Sequence, residues 1–252
     1  MTTCRLAVSG APLSVQKGFN VENPPAILVS YVYLNAFRRE FRPRCKYRNW
    51  MMDSGAFSAY NCGKVIDIEQ YIVDCKRIRE EEKDLVEIIA LDVIGDAKAS
   101  LKNALYMKKK GVEVVPVHHI GDDWGILKEY LANFDKVGLS CLFGEPRKES
   151  FKYYDRCFSI GWPKKFHSFG WMMDNVVLRY PFHSADSASW RLAAQAYGYW
   201  IKYGRMSVKH GDSNLKPQVE YYLELERRAK IKWKKEMQIL EHSNGTLENS
   251  IS

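Results

Sequence analysis

The sequence predicts an α/β fold, a (β/α)8 TIM-like barrel in a single domain, on three observations. Short apolar runs alternate with longer amphipathic stretches along the chain, which implies parallel strands joined by right-handed helical crossovers. The 252 residues match the ~250 of one such barrel. Neither GxGxxG nor GxxxxGK[ST] occurs, although an open doubly wound sheet, the alternative architecture, normally carries a glycine-rich phosphate loop after an early strand.

Taken in order, strands are expected at residues 26–33, 50–54, 86–92, 112–118, 136–140, 165–168 and 181–184, with a weaker eighth at 205–209. Each is a short apolar run, too short for a helix of ordinary length. Amphipathic helical spacing fills the gaps at 66–82, 97–110, 124–134, 149–160, 174–180 and 189–203. A last, basic helix is expected from about 217 to 240, within a barrel domain spanning 1–240. The polar stretch SNGTLENSIS at 243–252 reads as a frayed end, so 241–252 is expected to be a flexible tail.

Apolar residues make up 46% of the chain, enough for a sizeable core and too many for wholesale disorder. No run reaches the ~18 uninterrupted apolar residues of a membrane span. Residues 1–10 lack a basic segment followed by an apolar one, so neither a secretory signal nor a membrane partner is expected. The six cysteines, Cys4, Cys45, Cys62, Cys75, Cys141 and Cys157, include no CxxC pair. Free thiols in a reducing cytoplasm are the simplest reading.

The net charge of +8 favours a polyanionic partner, and its distribution sharpens that. Arg38, Arg39, Arg42, Arg44, Lys46 and Arg48 interleave with Phe41, Tyr47 and Trp50, just ahead of an expected strand. There they are expected to contact nucleic-acid phosphates. A second cluster, Arg227, Arg228, Lys230, Lys232, Lys234 and Lys235 around Trp233, sits on a helical pattern and reads equally as a solvated face.

The chemistry gathers at strand ends. Asp53, Asp92, His118, His119, His167 and Asp186 each stand at or just after an apolar run. In a barrel these ends meet at one face, where the active site forms. A lone Asp after a strand is usually a helix cap. Several at successive ends suit proton transfer and attack at a sugar carbon. A ligand set of His118, His119 and His167 with Asp53 is the metal alternative, though no tight ligand spacing supports it.

These motifs resemble those of the queuine-type tRNA-guanine transglycosylase superfamily, and most nearly its DNA 7-deazaguanine branch, found in phages and bacterial DNA-modification clusters. The resemblance runs from about Trp50 to Trp190. The family's DSGGF motif appears as Asp53-Ser54-Gly55-Ala56-Phe57, which implies an acid/base role for Asp53 and purine stacking for Phe57. The acid that pairs with the purine edge matches Asp92, and the polar residue of the next strand, usually Gln, falls at His118 or His119. The Gly-Gly-Leu backbone site resembles Val137-Gly138-Leu139, and the Gly-Glu after it resembles Gly144-Glu145 with two extra residues between. A Met against the purine's other face is replaced by His167 in His167-Ser168-Phe169-Gly170. The nucleophile matches Asp186, in an Asp-Ser-x-x-Trp ending characteristic of the DNA-acting branch. The tRNA enzymes' zinc-binding CxCxxC…His has no counterpart, because no cysteine follows Cys157. The resemblance therefore implies guanine exchange in DNA without a metal or cofactor. The second substrate would be a free 7-deazaguanine base of the 7-cyano or 7-aminomethyl type. A tRNA-acting enzyme without the zinc subdomain is the alternative, and a metal-dependent hydrolase the next.

Overall fold

The structure is a computed structural model that describes residues 2–9, 13–141, 146–192 and 214–248. Its strands are β1 (Thr3–Ala7), β2 (Ala26–Ser30), β3 (Trp50–Asp53), β4 (Leu85–Ile88), β5 (Val117–His119), β6 (Lys136–Ser140), β7 (Lys165–Phe169) and β8 (Ser184–Ser187). The helices are α1 (Leu34–Ala36), which runs into a π-helical turn at Phe37–Phe41, α2 (Ala56–Asn61), α3 (Ile68–Glu81), α4 (Ala97–Lys109) and α5 (Trp124–Asn133). They continue with α6 (Arg147–Gly161), α7 (Asp174–Val177), α8 (Ser189–Leu192) and α9 (Leu215–Glu248).

All eight strands form one parallel sheet in the order β4-β3-β2-β1-β8-β7-β6-β5. The regular ladder is open between β4 and β5. There a single parallel bridge, Ile89 to Val115, ties the two edges, with Ala90 N donating to Val115 O (2.9 Å) and Val115 N to Ile88 O (2.8 Å). The result is a TIM-barrel-like α/β fold.

The side chains separate by strand alternation. Leu28, Met51, Ile89, Val115 and Val117 make a small inner cluster, with Ala7 and Phe169 against it. Their strand neighbours, among them Leu6, Ile27, Val29, Trp50, Met52, Val137, Leu139 and Phe166, belong to the large outer core between sheet and helices. Arg5, Glu87, His119 and His167 lie two residues from inner-cluster members on the same strands, and so share the inner face.

The strands expected at 26–33, 86–92 and 112–118 are shorter, at Ala26–Ser30, Leu85–Ile88 and Val117–His119, and two others also differ from expectation. Thr3–Ala7 was not foreseen, because its inward Arg5 interrupts the apolar run. The expected strand at 181–184 begins only at Ser184 and runs to Ser187. Asp186 therefore lies within a strand, paired opposite Arg5. The strand expected at 205–209, the Gly144-Glu145 pair and the 193–203 part of the helix expected at 189–203 lie outside the described residues. The last helix starts at Leu215 and continues to Glu248, through most of the stretch expected to fray.

That helix is locked to the sheet by one buried carboxylate. Glu226 accepts from the Cys4 amide (2.9 Å), from both Arg48 Nη atoms (2.8 Å each) and from Lys230 Nζ (2.5 Å). Burial pushes the Glu226 pKa up, but the bonds from Arg48 and Lys230 outweigh it and hold it below the usual range. Glu226→Ala is expected to cost roughly 2–4 kcal/mol at pH 7, since it strands a buried amide and an arginine. A depressed carboxylate stabilises above its unfolded pKa and loses that contribution as pH falls through the folded value. Urea unfolding of parent and variant should therefore converge in acid. Equal midpoints at pH 7 would contradict this role.

Candidate active site

A cavity of about 880 Å3 opens where the strands end, lined by Asp53, Phe57, Asp92, His119, Asp122, Phe169, Gly170 and Trp171 among others. That is within the ~300–1,000 Å3 usual for small-molecule sites.

Other acids than those at the strand ends cap the helices. The caps of α3, α4 and α5 are Asp67, Asp96 and Asp123, which accept from Gln70, Ala99 and Gly125 amides. Asp92 and Asp186 cap nothing among the described residues, and Asp53 only accepts from the Gly55 amide at 3.1 Å. Gly55 itself sits at φ 77°, where a Cβ would strike Ser30 Oγ at 2.8 Å and Val32 Cγ1 at 2.9 Å. Glycine is thus required at the turn that carries Asp53 into the cavity wall.

Asp53 is pushed up to about 7, first by burial and then by the charges of Asp92 and Asp186, so the three carboxylates share one electrostatic neighbourhood. Asp186 is also pushed up to about 7 by burial, against the pull of the Gly170 amide and of Arg5. It lies just behind the lining. Its Oδ1 accepts from Gly170 N at 3.1 Å and faces His167 Nε2 at 3.2 Å. Neither contact uses Oδ2. Asp92 is raised by burial despite His119, whose Nε2 stands 3.4 Å from Asp92 Oδ2. Asp92 Oδ1 is buried without a hydrogen-bond partner, the condition of an atom that awaits a donor.

The two adjacent histidines part company by alternation. His119 points inward, and its amide donates to Asp122 Oδ2 at 2.9 Å. Burial pulls His119 down, but Asp92 and Asp122 outweigh it and raise it. His118 points into the helical layer. It is fully buried, stacked on Tyr153 with Nδ1 2.9 Å from Tyr153 Oη, and held below its usual range by burial. His118 therefore cannot contact a base in the cavity.

Gly138 and Leu139 are mid-strand, between β5 and β7. Leu139 is wholly in the outer core. Gly138 makes room for an aromatic ring: a Cβ there would stand 2.4 Å from Phe169 Cε2. Phe169 lines the cavity, whereas His167 is fully buried with its ring edge-on to Phe169 at 4.4 Å. The second aromatic face is thus offered by Phe169 and Trp171, two residues beyond and four beyond the expected His167. Phe57 is at the rim, 64% exposed.

The basic stretch lies at the other end of the strands. Arg48 N donates to Pro25 O ahead of β2, and Arg42 reaches Asp84, the residue before β4. Arg38 and Arg42 both bind Glu82, Arg48 binds Glu226, Arg39 binds Glu40, and Arg44 donates to the Glu40 carbonyl. Lys46 is exposed. Arg38, Arg42 and Arg48 tie separate elements together at the base of the sheet, and none of the six lines the cavity. Among the described residues, the arginine that lines the cavity is Arg147, at the start of α6. The C-terminal cluster is likewise engaged, with Arg228 on Asp174, Arg227 on Glu224 and Trp233 Nε1 on the Val177 carbonyl.

Four inner residues escaped sequence reading: Arg5, Glu87, Lys136 and Ser184. Lys136 Nζ lies 2.5 Å from Glu87 Oε1 and 2.8 Å from Ser184 Oγ, and Arg5 Nη2 lies 3.4 Å from Glu87 Oε2. Burial pushes Glu87 up, but the charges of Lys136 and Arg5 prevail and hold it at about 2. Burial draws Lys136 down to about 8 in spite of Glu87. The pair is ionised at neutral pH. A charged residue in alternation with apolar ones, as in LVEI and KVGLS, was the available signal.

Among the described residues, no group of three or more His, Cys, Asp or Glu side chains is arranged to hold a metal ion. All six cysteines are free thiols, and no helix among the described residues is long and apolar enough to cross a membrane. The sequence matches no protein-family model and no curated protein.

Proposed function

We propose that this protein is a DNA-guanine transglycosylase, which exchanges guanine in DNA for a free 7-deazaguanine through an ester between Asp186 and deoxyribose. The observation that carries the reading is the placement of Asp53 and Asp92 in one cavity wall, with Asp186 held behind it on the amide of the lining residue Gly170 and with Asp53 and Asp186 both pushed up to about 7. Paired carboxylates in contrasting surroundings divide into an acid and a base. Asp53, beside two like charges, keeps its proton. Asp186, facing the Gly170 amide and Arg5, is the better anion.

In the first half, Asp186 Oδ2 bonds to the anomeric carbon as the bond to the purine ring nitrogen breaks. Asp53 gives its proton to the departing guanine. In the second half, the incoming 7-deazaguanine returns a proton to Asp53, its ring nitrogen bonds to the same carbon, and the ester breaks. Two displacements retain configuration and need no cofactor. Asp92 Oδ1 would accept from the purine's N–H edge, with His119 holding the carboxylate. Phe57, Phe169 and Trp171 supply apolar faces, and stacking is worth roughly 1–3 kcal/mol per base. A base in duplex DNA would be flipped out at a cost of a few kcal/mol. The overall charge of +8 favours the polyanionic substrate.

The test is incorporation of labelled guanine into duplex DNA, single-stranded DNA and tRNA, side by side, with chase by 7-cyano- and 7-aminomethyl-7-deazaguanine. Label entering DNA and chased by a deazaguanine is the expected result. Label entering tRNA alone would replace the acceptor, and no incorporation into any acceptor would contradict the reading.

A further inference from the structure

Beneath the cavity, a line of buried polar atoms leads from Glu87 to Asp186. Lys136 Nζ bonds Glu87 and Ser184 Oγ. Ser184 Oγ lies 2.8 Å from His167 Nδ1, and His167 Nε2 lies 3.2 Å from Asp186 Oδ1. Ser184 and His167 are fully buried.

The direction of this chain follows from what each group can do. An ammonium only donates, so Lys136 gives a hydrogen to Ser184 Oγ. Ser184 then has one hydrogen of its own to place. Among the described residues, the remaining partner of its Oγ is His167 Nδ1, and a buried hydroxyl hydrogen left without an acceptor is costly. Nδ1 must therefore accept. A neutral imidazole that accepts on Nδ1 carries its hydrogen on Nε2, which faces Asp186. His167 is neutral, since burial and the Lys136 charge hold it well below its usual range.

We infer that Lys136 is a positioning residue: through Ser184 it fixes His167 in the Nε2–H form and so aims a donor at Asp186 Oδ1. With the Gly170 amide on the same oxygen, two donors meet Asp186 Oδ1 and favour its anion over its acid, and neither engages Oδ2. Reversing the chain, with a protonated Asp186 donating to His167, would need Nδ1–H to face the serine and would orphan the serine hydrogen. The role of Asp186 in the reaction rests on the reading above, but the tautomer of His167 does not.

The experiment is a two-bond 15N–1H correlation spectrum of the 15N-histidine-labelled full chain from pH 5.5 to 7.5, beside exchange kinetics. The parent is expected to show Nε2 protonated and Nδ1 bare throughout. Ser184→Ala keeps the Glu87–Lys136 pair, and the double variant Glu87→Gln, Lys136→Met removes both charges together. In each, an Nδ1–H population is expected to appear in acid. The acid limb of kcat should move up by about one pH unit, as befits one lost hydrogen-bond chain to a carboxylate, with KM for DNA unchanged. An Nδ1–H signal from the parent, or variants with unaltered spectra and acid limb, would overturn the proposal. A parent with the Nε2–H signature and no exchange activity would overturn the transglycosylase reading and leave the chain intact.

Discussion

Asp186→Asn is expected to abolish exchange, by about ten-thousandfold or more, while the cavity still binds purine. An amide matches the carboxylate in size but cannot form the ester, and it offers little to a positively charged sugar. The same variant should be more stable than the parent at high pH. The folded pKa of Asp186 is raised to about 7 by burial, so between the unfolded carboxylate value and 7 the folded state binds the extra proton. Stability then falls as pH rises through that window. Removing the carboxylate recovers at most about 4 kcal/mol above pH 7 and nothing below about pH 4. Thermal unfolding at pH 4 and pH 8 tests this. A variant that is inactive but less stable at pH 8 would mean that the carboxylate is a structural anchor.

Asp53→Asn should fail differently. The nucleophile remains, so guanine can still leave, slowly, without a proton donor. Loss of general acid catalysis costs roughly 100- to 10,000-fold. Asp53, raised to about 7 by burial and by Asp92 and Asp186, must be protonated for the first half. The parent's activity should therefore decline above pH 7, and that alkaline limb should disappear in the variant. Persistence of the limb in Asp53→Asn would assign it to another group, with the raised His119 the next to examine.

The strands whose bounds are legible in sequence are those with bulky apolar residues on at least the outer face, Val137 and Leu139 in one, Phe166 in another, Trp50 and Met52 in a third. Lys136–Ser140 agrees with the expected bounds, and Lys165–Phe169 and Trp50–Asp53 differ from theirs by one residue at one end. β1 and β8 were obscure for the reason that makes them useful. Their inward positions are Arg5, Ser184 and Asp186, so TCRLA and SADS do not look like strands. The apolar Pro181-Phe182-His183 run just before β8 drew the expected strand forward. Asp53, Asp92 and Asp186 are legible because acids at strand ends are conspicuous, whereas the adjacent pair at 118 and 119 is separated only by strand alternation. Period two sends His119 inward with Val117 and His118 outward onto Tyr153. Charge clustering misled for a similar reason. Sequence shows the arginines of 38–48, whereas Glu82, Asp84 and Glu226, which bind them, are remote in the chain. The Asp-Ser-x-x-Trp spacing has a structural basis as well: Trp190 is fully buried, packs on Phe19 and donates to the Ala7 carbonyl, pinning the exit of β8 against β1.

The central claim, a covalent aspartyl–deoxyribose intermediate at the barrel mouth, is tested most directly by the intact mass of the protein after denaturing quench with a short guanine-containing oligodeoxynucleotide. The account predicts a species equal to protein plus strand minus guanine. Peptide mapping should place it on the segment that contains Asp186, and Asp186→Asn should lack it. An adduct mapped to Asp53, or one that persists in Asp186→Asn, would contradict the assignment. No adduct from the parent protein at any pH or quench time would contradict the covalent mechanism itself.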